Sequence, residues 1–258
     1  MRLPKTARRA VTMFLAATGL GKPRATHLPA GAPQALDELS RKADSFPSMG
    51  GVELGPFLRR LGRDADPDAA IVEVGVWLGA GTAQIAYGLA ERRLSGEPTP
   101  AIHAYDRFWA SRSEVAKAAA AGVELDKGGD TAPWVAEALR PFGAEVFLHK
   151  GDLDLLSWSA GPIGVFILDA AKGPRQFRNM MRIFGPFWRP GRTTVVLMDY
   201  AYYKFGGKAE FECQARFVEA HPDAFEPIDL GIEDPGTMAA FRYTAEVDFE
   251  QAIRDGLL

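Results

Sequence analysis

Residues 73 to 82 read Glu-Val-Gly-Val-Trp-Leu-Gly-Ala-Gly-Thr, an apolar run that breaks into spaced glycines, Gly75, Gly79 and Gly81, before Thr82 and a helical stretch. Glycine permits a sharp turn and removes the Cβ that would hold a ligand away from the backbone. At the carboxyl end of a strand in an open α/β sheet, such a turn predicts a site for a nucleotide-like ligand. The spacing, E-x-G-x-x-x-G-x-G-T, departs from the G-x-G-x-x-G of dinucleotide sites, and nothing suggests a pyrophosphate cradle. A second apolar run, Ile102-His103-Ala104-Tyr105, ends on Asp106. If the two runs are neighbouring parallel strands, their ends lie side by side and the Asp106 carboxylate is placed to accept two ribose hydroxyls. A lone strand-end Asp would equally cap a helix or close a turn. Asp169 and Asp199 follow later apolar runs, and Lys172 stands close after the first of them.

These residues need a frame that gathers strand ends, and the pattern from Asp68 onward supplies one. Short β-rich runs at 70–74, 101–105, 145–149, 163–168 and 193–198 alternate with helical stretches at 81–93, 112–121, 132–139, 175–188 and 209–220. That alternation builds βαβ units with a parallel sheet. The near-continuous apolar character of the runs suits strands covered on both faces. Runs at 225–230 and 238–243 flank the turn-forming Glu233-Asp234-Pro235-Gly236 and predict a terminal antiparallel hairpin, with a short helix at 248–254 behind it. The expected fold is α/β: a Rossmann-like, doubly wound, mostly parallel seven-stranded sheet. Ahead of it, Pro and Gly punctuation around a helical candidate at 35–43 marks residues 1–60 as an arm and helical cap, leaving one domain at 61–258.

The formal charge of −3, with 47% hydrophobic and 24% charged residues, is a globular composition and argues against disorder or a fibrous repeat. A pI near 5.9 argues against a dedicated nucleic-acid binder, which is usually strongly basic. Arg2, Lys5, Arg8, Arg9, Lys22 and Arg24 all precede the first acid, Asp37, so the arm is basic and the body acidic. The arm reads as a solvated tail, with a membrane surface or a partner as the alternative. An apolar stretch at 10–20 follows Arg8 and Arg9, but Thr12, Thr18 and Gly19 interrupt it and no convincing cleavage site follows. No apolar run reaches the roughly 18 residues that span a bilayer, so no integral membrane segment is expected. The single cysteine, Cys213, allows no internal disulfide and suits a reducing, cytoplasmic setting. The histidines, His27, His103, His149 and His221, show no metal spacing.

With the glycine turn and Asp106 together, residues 68–245 resemble the class I S-adenosylmethionine (SAM)-dependent methyltransferases. The resemblance implies SAM as cofactor. Glu73, Gly75, Gly79, Gly81 and Thr82 correspond to the family's first motif, with Gly75 and Gly79 flanking the methionine and ribose portions. Asp106, with Arg107 beside it, would hold ribose; Asp152 and Leu153, in Gly151-Asp152-Leu153, would meet adenine. The hairpin at 225–243 matches the family's reversed last strand. Within the family, Asp106-Arg107-Phe108 and the strand-end acids Asp169 and Asp199 are most similar to the macrocin-type small-molecule O-methyltransferases. That branch holds a divalent cation with acids after the fourth and fifth strands, commonly paired at the fifth. Here Tyr200 follows Asp199, and Lys172 brings a competing positive charge close to Asp169, so no metal is expected.

The function so implied is methyl transfer to a small-molecule hydroxyl. An in-line displacement asks the protein to hold the acceptor near the methyl carbon and exclude water. The hydroxyl proton also needs a base, for which Asp169, Asp199 and Lys172 are the candidates. Alternatively, Asp169 could hold the methionine ammonium while Lys172 engages the acceptor. Asp199-Tyr200-Ala201-Tyr202-Tyr203-Lys204 offers phenols and a lysine to an acceptor, or aromatic packing under a lid. Two other readings share the fold class: a nicotinamide-dependent oxidoreductase and a non-catalytic binding module. A homo-oligomer is left open.

Overall fold

The computed structural model describes residues 31–49, 54–206 and 208–258; the six bases of the arm and the apolar stretch 10–20 lie outside them. Two helices come first, α1 (Ala32–Asp44) and α2 (Gly55–Asp64). Then follow β1 (Ala70–Val74), α3 (Ala80–Leu94), β2 (Ile102–Asp106), α4 (Arg112–Ala120), α5 (Ala132–Leu139), β3 (Val146–Lys150), β4 (Ile163–Leu168), α6 (Pro174–Phe184) and β5 (Thr194–Leu197). The chain closes with α7 (Tyr203–Gly206), α8 (Cys213–Glu219), β6 (Phe225–Pro227), β7 (Ala239–Tyr243) and α9 (Phe249–Arg254).

The strands form one sheet in the order β3-β2-β1-β4-β5-β7-β6. Pairing is parallel from β3 through β5, while β7 runs antiparallel to both of its neighbours. The order switches at β1, with β2 on one side and β4 on the other, which opens a crevice beyond the carboxyl ends of these strands. Alternate residues feed two cores. Ile71, Val165 and Ile167 face α2 and α3, whereas Val72, Val74, Phe166 and Leu168 face α6. On α6 the buried residues are Phe177, Met180, Met181 and Phe184, one helical stripe with polar residues between. Burying each of these large side chains contributes about 1.5–3 kcal/mol.

The structure departs from the sequence expectation in four places, one of them the outer hairpin strand, which stops at Pro227 rather than 230. The third strand is not covered on both faces: it is the sheet edge, and Phe147 is 44% exposed. Between it and β4 the chain makes only a 3-10 turn, Leu153–Leu155, so no helix covers this corner. The helix expected at 175–188 ends at Phe184 and tightens into a 3-10 turn at Gly185–Phe187, where Pro186 has no N–H to continue the ladder. The stretch 209–220 divides into a 3-10 turn, Ala209–Glu212, and α8.

The cap helices sit directly on α3. A Cβ on Gly62 would stand 2.2 Å from the Ile85 carbonyl oxygen, and one on Gly88 would stand 2.1 Å from that of Arg59, so α2 and α3 touch backbone to backbone. Arg59 ties the assembly together. Its guanidinium donates to Gln84 Oε1 at 2.6 Å, Ser40 Oγ at 2.9 Å and Asp44 Oδ1 at 2.6 Å, and lies over the Tyr87 ring. The end of α1 is thereby fixed against the helix that starts at the glycine turn.

Candidate active site

Three glycines of the turn do three different things. Gly75 has φ +97°, and a Cβ there would stand 2.5 Å from the Asp169 carbonyl oxygen, so only glycine lets β1 end against the end of β4. Gly79, at φ +81°, starts α3, and its missing Cβ would meet Val135 Cγ1 at 3.2 Å. It therefore faces packed side chains rather than the ligand space the resemblance assigned to it. Gly81 makes room for Glu73: a Cβ would stand 2.3 Å from Glu73 Oε1.

That carboxyl is buried beneath the start of α3, where Thr82 Oγ1 donates to Glu73 Oε2 at 2.5 Å. Burial pushes the Glu73 pKa up to about 8, with the Thr82 bond opposing the shift. Glu73 is thus predominantly protonated at neutral pH. Thr82 is fully buried and serves Glu73.

Asp106 pins the turn. Its Oδ2 accepts the backbone N–H groups of Val76 and Trp77, both at 2.9 Å, and its Oδ1 accepts that of Phe108 at 2.8 Å. Trp77 and Phe108 have φ +49° and +48°, left-handed conformations that L-residues with bulky side chains avoid at about 1–2 kcal/mol each. Bonds to an ionised acceptor offset that strain. A carboxylate has about four acceptor positions, and three are taken here. The reading in which Asp106 takes two ribose hydroxyls is therefore narrowed: the free position on Oδ1 suits one.

Beyond the strand ends lies a cavity of about 660 Å³. Of the residues singled out by sequence, Glu73, Gly75, Gly81, Asp106, Arg107, Asp152, Leu153, Asp169 and Lys172 line it; Gly79, Thr82 and Asp199 do not. Asp152 Oδ1 accepts the Asp154 N–H at 3.0 Å and starts the turn that buries Leu153. Arg107 lies 3.8 Å from Glu114, itself the closing residue of a capping box with Ser111. The sequence marked a helical cap but not which of its residues reach the site: Phe46, Met49, Leu54 and Leu58 from the cap line the cavity as its roof. Sequence reasoning missed Arg175 and Gln176 at the start of α6. The signal for the roof was present: apolar residues stand in a Pro- and Gly-punctuated stretch between two short helices.

On the far side of Gly75, the Asp169 carboxylate opens into the cavity and has no hydrogen-bond or ion-pair partner among the described residues. Although the residue is exposed to the cavity, the protein packed around it desolvates the carboxyl and, with Asp199 second, raises its pKa to about 7, against the opposing charge of Lys172. The Lys172 ammonium donates to Asp199 Oδ1 and sits 4.3 Å from the centroid of the Tyr202 ring. Asp199 is only 5% exposed, and its Oδ2 has no partner among the described residues. It lies behind Lys172, out of the cavity, which removes it from the candidate bases. Tyr200 packs on Phe241 and Tyr202 on Phe211, so these phenyl rings pack rather than line the cavity.

The arrangement offers a divalent cation few ligands. Lys172 already occupies one Asp199 oxygen, Tyr200 brings no second carboxylate, and no group of three metal-ligating side chains occurs among the described residues. His103 and His149 bond to each other, Nδ1 to Nε2 at 2.9 Å, and His149 stacks on Tyr105. Their 5.1 Å centroid separation fits two rings edge to edge in nearly one plane. No helix of the described residues is long and apolar enough to cross a membrane.

Neither a family model nor a curated protein matches the chain. Solved structures do. The O-methyltransferase NovP is similar over 83% of this chain and 100% of its own, at 13% identity and a TM-score of 0.58. The O-methyltransferase from Bacillus cereus in complex with SAH is similar over 90% and 97%, at 16% identity and a TM-score of 0.47. TomG from Streptomyces achromogenes, in complex with SAM, is similar over 94% and 100%, at 19% identity and a TM-score of 0.45. The chain thus has the Rossmann-like methyltransferase fold of NovP.

Proposed function

We propose that this chain is a SAM-dependent O-methyltransferase acting on a small-molecule hydroxyl, working without a divalent cation. The observation that carries the reading is the cavity at the switch of strand order, which holds the glycine turn, Asp106 and the unpartnered Asp169 together. At about 660 Å³ it lies in the range of small-molecule sites and has room for a nucleoside and an acceptor. NovP, whose fold this chain shares, is itself an O-methyltransferase. Residues 61–258 would form the SAM-binding domain and residues 1–60 its arm and cap. The free, buried Cys213 supports a reducing, cytoplasmic setting.

When bound, SAM supplies an electrophilic methyl group on a sulfonium, whose S–C bond breaks with its electron pair left on sulfur as the acceptor oxygen bonds to carbon. The chain's part is placement. Asp106 keeps the turn in one conformation and offers its free Oδ1 position to a ribose hydroxyl. Asp152 and Leu153 would bound the adenine end, and the neutral Glu73 keeps the start of α3 in register. Asp169 takes the acceptor's hydroxyl proton, a role suited to a carboxylate with a pKa near 7 and no competing partner. Lys172 orients the same oxygen. Phe46, Met49 and Leu54 of the roof exclude water from the reacting atoms.

Calorimetric titration tests the cofactor. SAM and SAH should bind with micromolar affinity, about −8 kcal/mol, and raise the melting temperature. Binding of NADH, with neither SAM nor SAH bound at millimolar concentration, would overturn the reading in favour of the oxidoreductase. Absence of all three would favour a non-catalytic module.

A further inference from the structure

Two groups hold one ammonium at the wall of the cavity. The carboxylate of Asp199 accepts from Lys172 Nζ, and the ring of Tyr202 lies beneath the same nitrogen at 4.3 Å. An ammonium has three N–H donors. One goes to Asp199 and the positive charge rests against the ring face, while the Lys172 side chain remains 44% exposed toward the cavity. A donor is therefore left for a ligand. Asp199 is fixed by burial, and Tyr202 is backed by Phe211 at 5.5 Å, so the lysine is held at both ends of its charge.

We infer that Lys172, positioned by Asp199 and Tyr202, is a built-in cation that takes the place of a divalent metal, binding the acceptor oxygen as it loses its proton to Asp169. The inference rests on the reading of the cavity as the place where SAM and a hydroxyl acceptor meet. It adds that Asp199 and Tyr202 are positioning residues. It also explains how a carboxylate as buried as Asp199 is tolerated, since a buried charge needs a partner. Removing only the lysine's charge would leave Asp199 unpaired near Asp169, and two carboxylates so placed become attractive to a hard cation.

Two measurements on the full chain test this without a known acceptor. In the first, Mn²⁺ is titrated and followed by electron paramagnetic resonance. The wild-type protein should bind no Mn²⁺ through Asp199, and Lys172→Met should gain a site at least about tenfold tighter than any in wild type, lost again on adding Asp199→Asn. A wild-type site abolished by Asp199→Asn, or no gain in Lys172→Met, would overturn the inference. In the second, lysines are acetylated with an N-hydroxysuccinimide ester and read by peptide mass spectrometry. Lys172 should react more slowly than the exposed Lys127, faster in Tyr202→Leu, and at the wild-type rate in Tyr202→Phe, which keeps the ring face. Equal Lys172 rates in wild type and Tyr202→Leu would refute the positioning role. SAH calorimetry on the wild-type protein tests the methyl-transfer reading separately, so either can fail alone.

Discussion

Replacing Asp106 by Ala removes one carboxylate and strands three backbone amides, those of Val76, Trp77 and Phe108. A hydrogen bond to a charged group is worth about 1.5–3 kcal/mol net. Val76 and Trp77 line an open cavity that water can enter, whereas Phe108 is fully buried; the low end applies to the first two amides, and all three bonds are coupled through one turn. The strain at Trp77 and Phe108 is also relieved once the turn can relax. Together these give a loss of about 2–4 kcal/mol, or roughly 5–15 °C in Tm for a chain of this size. Asp106→Asn should lose about half as much, because one amide oxygen can still accept Val76 and Trp77 while the charge and the second acceptor are gone. SAH affinity should fall at least tenfold, about 1.4 kcal/mol, in Asp106→Ala, since the ribose partner and the shape of the turn go together. Urea unfolding and calorimetry on wild type, Asn and Ala variants measure both effects. An Ala variant within about 0.5 kcal/mol of wild type, with unchanged SAH affinity, would refute the pinning role and the ribose role at once.

Other expectations come from the same turn and its surroundings. Gly81→Ala drives a methyl into Glu73 Oε1 and should destabilise the protein by about 1–3 kcal/mol with weakened SAH binding; a fully stable, binding variant would show that the carboxyl moves freely. Glu73 has a folded pKa of about 8 against an ordinary 4.5. Its contribution to stability is therefore full below pH 4.5 and is lost as pH rises toward 8, at up to about 1.4 kcal/mol per unit. Glu73→Gln should flatten the urea midpoint between pH 5 and about 8, and identical wild-type and Gln profiles would contradict a buried neutral carboxyl. His103, held near a pKa of about 4 by burial and by His149, acts in the opposite direction: it costs stability as pH falls from 6.5 toward 4, and His103→Phe should lessen that acid loss in a thermal-melt series. If it does not, the histidine pair is not what titrates.

Much of the frame was legible because its signals are local. The strands at 70–74 and 163–168 stand where the apolar runs put them, and the others, apart from the outer hairpin strand, lie within about one residue, since each run is bounded by turn or helix residues. The outer hairpin strand is shorter than its apolar run: β6 stops at Pro227, and one further bond, from the Ile228 N–H to the Ala240 carbonyl at 2.9 Å, continues the pairing. What sequence could not reveal were contacts between residues far apart in the chain. Nothing local says that Asp106 spends its acceptors on Val76 and Trp77, that Lys172 crosses to Asp199, or that the Arg59 network brings the end of α1 over the cavity. The positive φ of Trp77 and Phe108 was invisible for the same reason, since neither is a residue type that favours that region. Gly81 was recognised as part of a motif, yet its purpose, leaving space for Glu73, needs the first turn of α3 to fold back over β1.

The most direct test of the central claim is transfer itself. Wild-type protein and Asp169→Asn are each incubated with methyl-labelled SAM and a low-molecular-mass extract of the source organism, with EDTA present, and labelled products are separated by mass. Wild type should label at least one small molecule as a methyl ether, at a rate that rises as pH passes through about 7, while Asp169→Asn should bind SAM equally well and transfer about 10²-fold or more slowly. Label that stays on SAM in every extract, or transfer that Asp169→Asn leaves at full rate, would contradict the account.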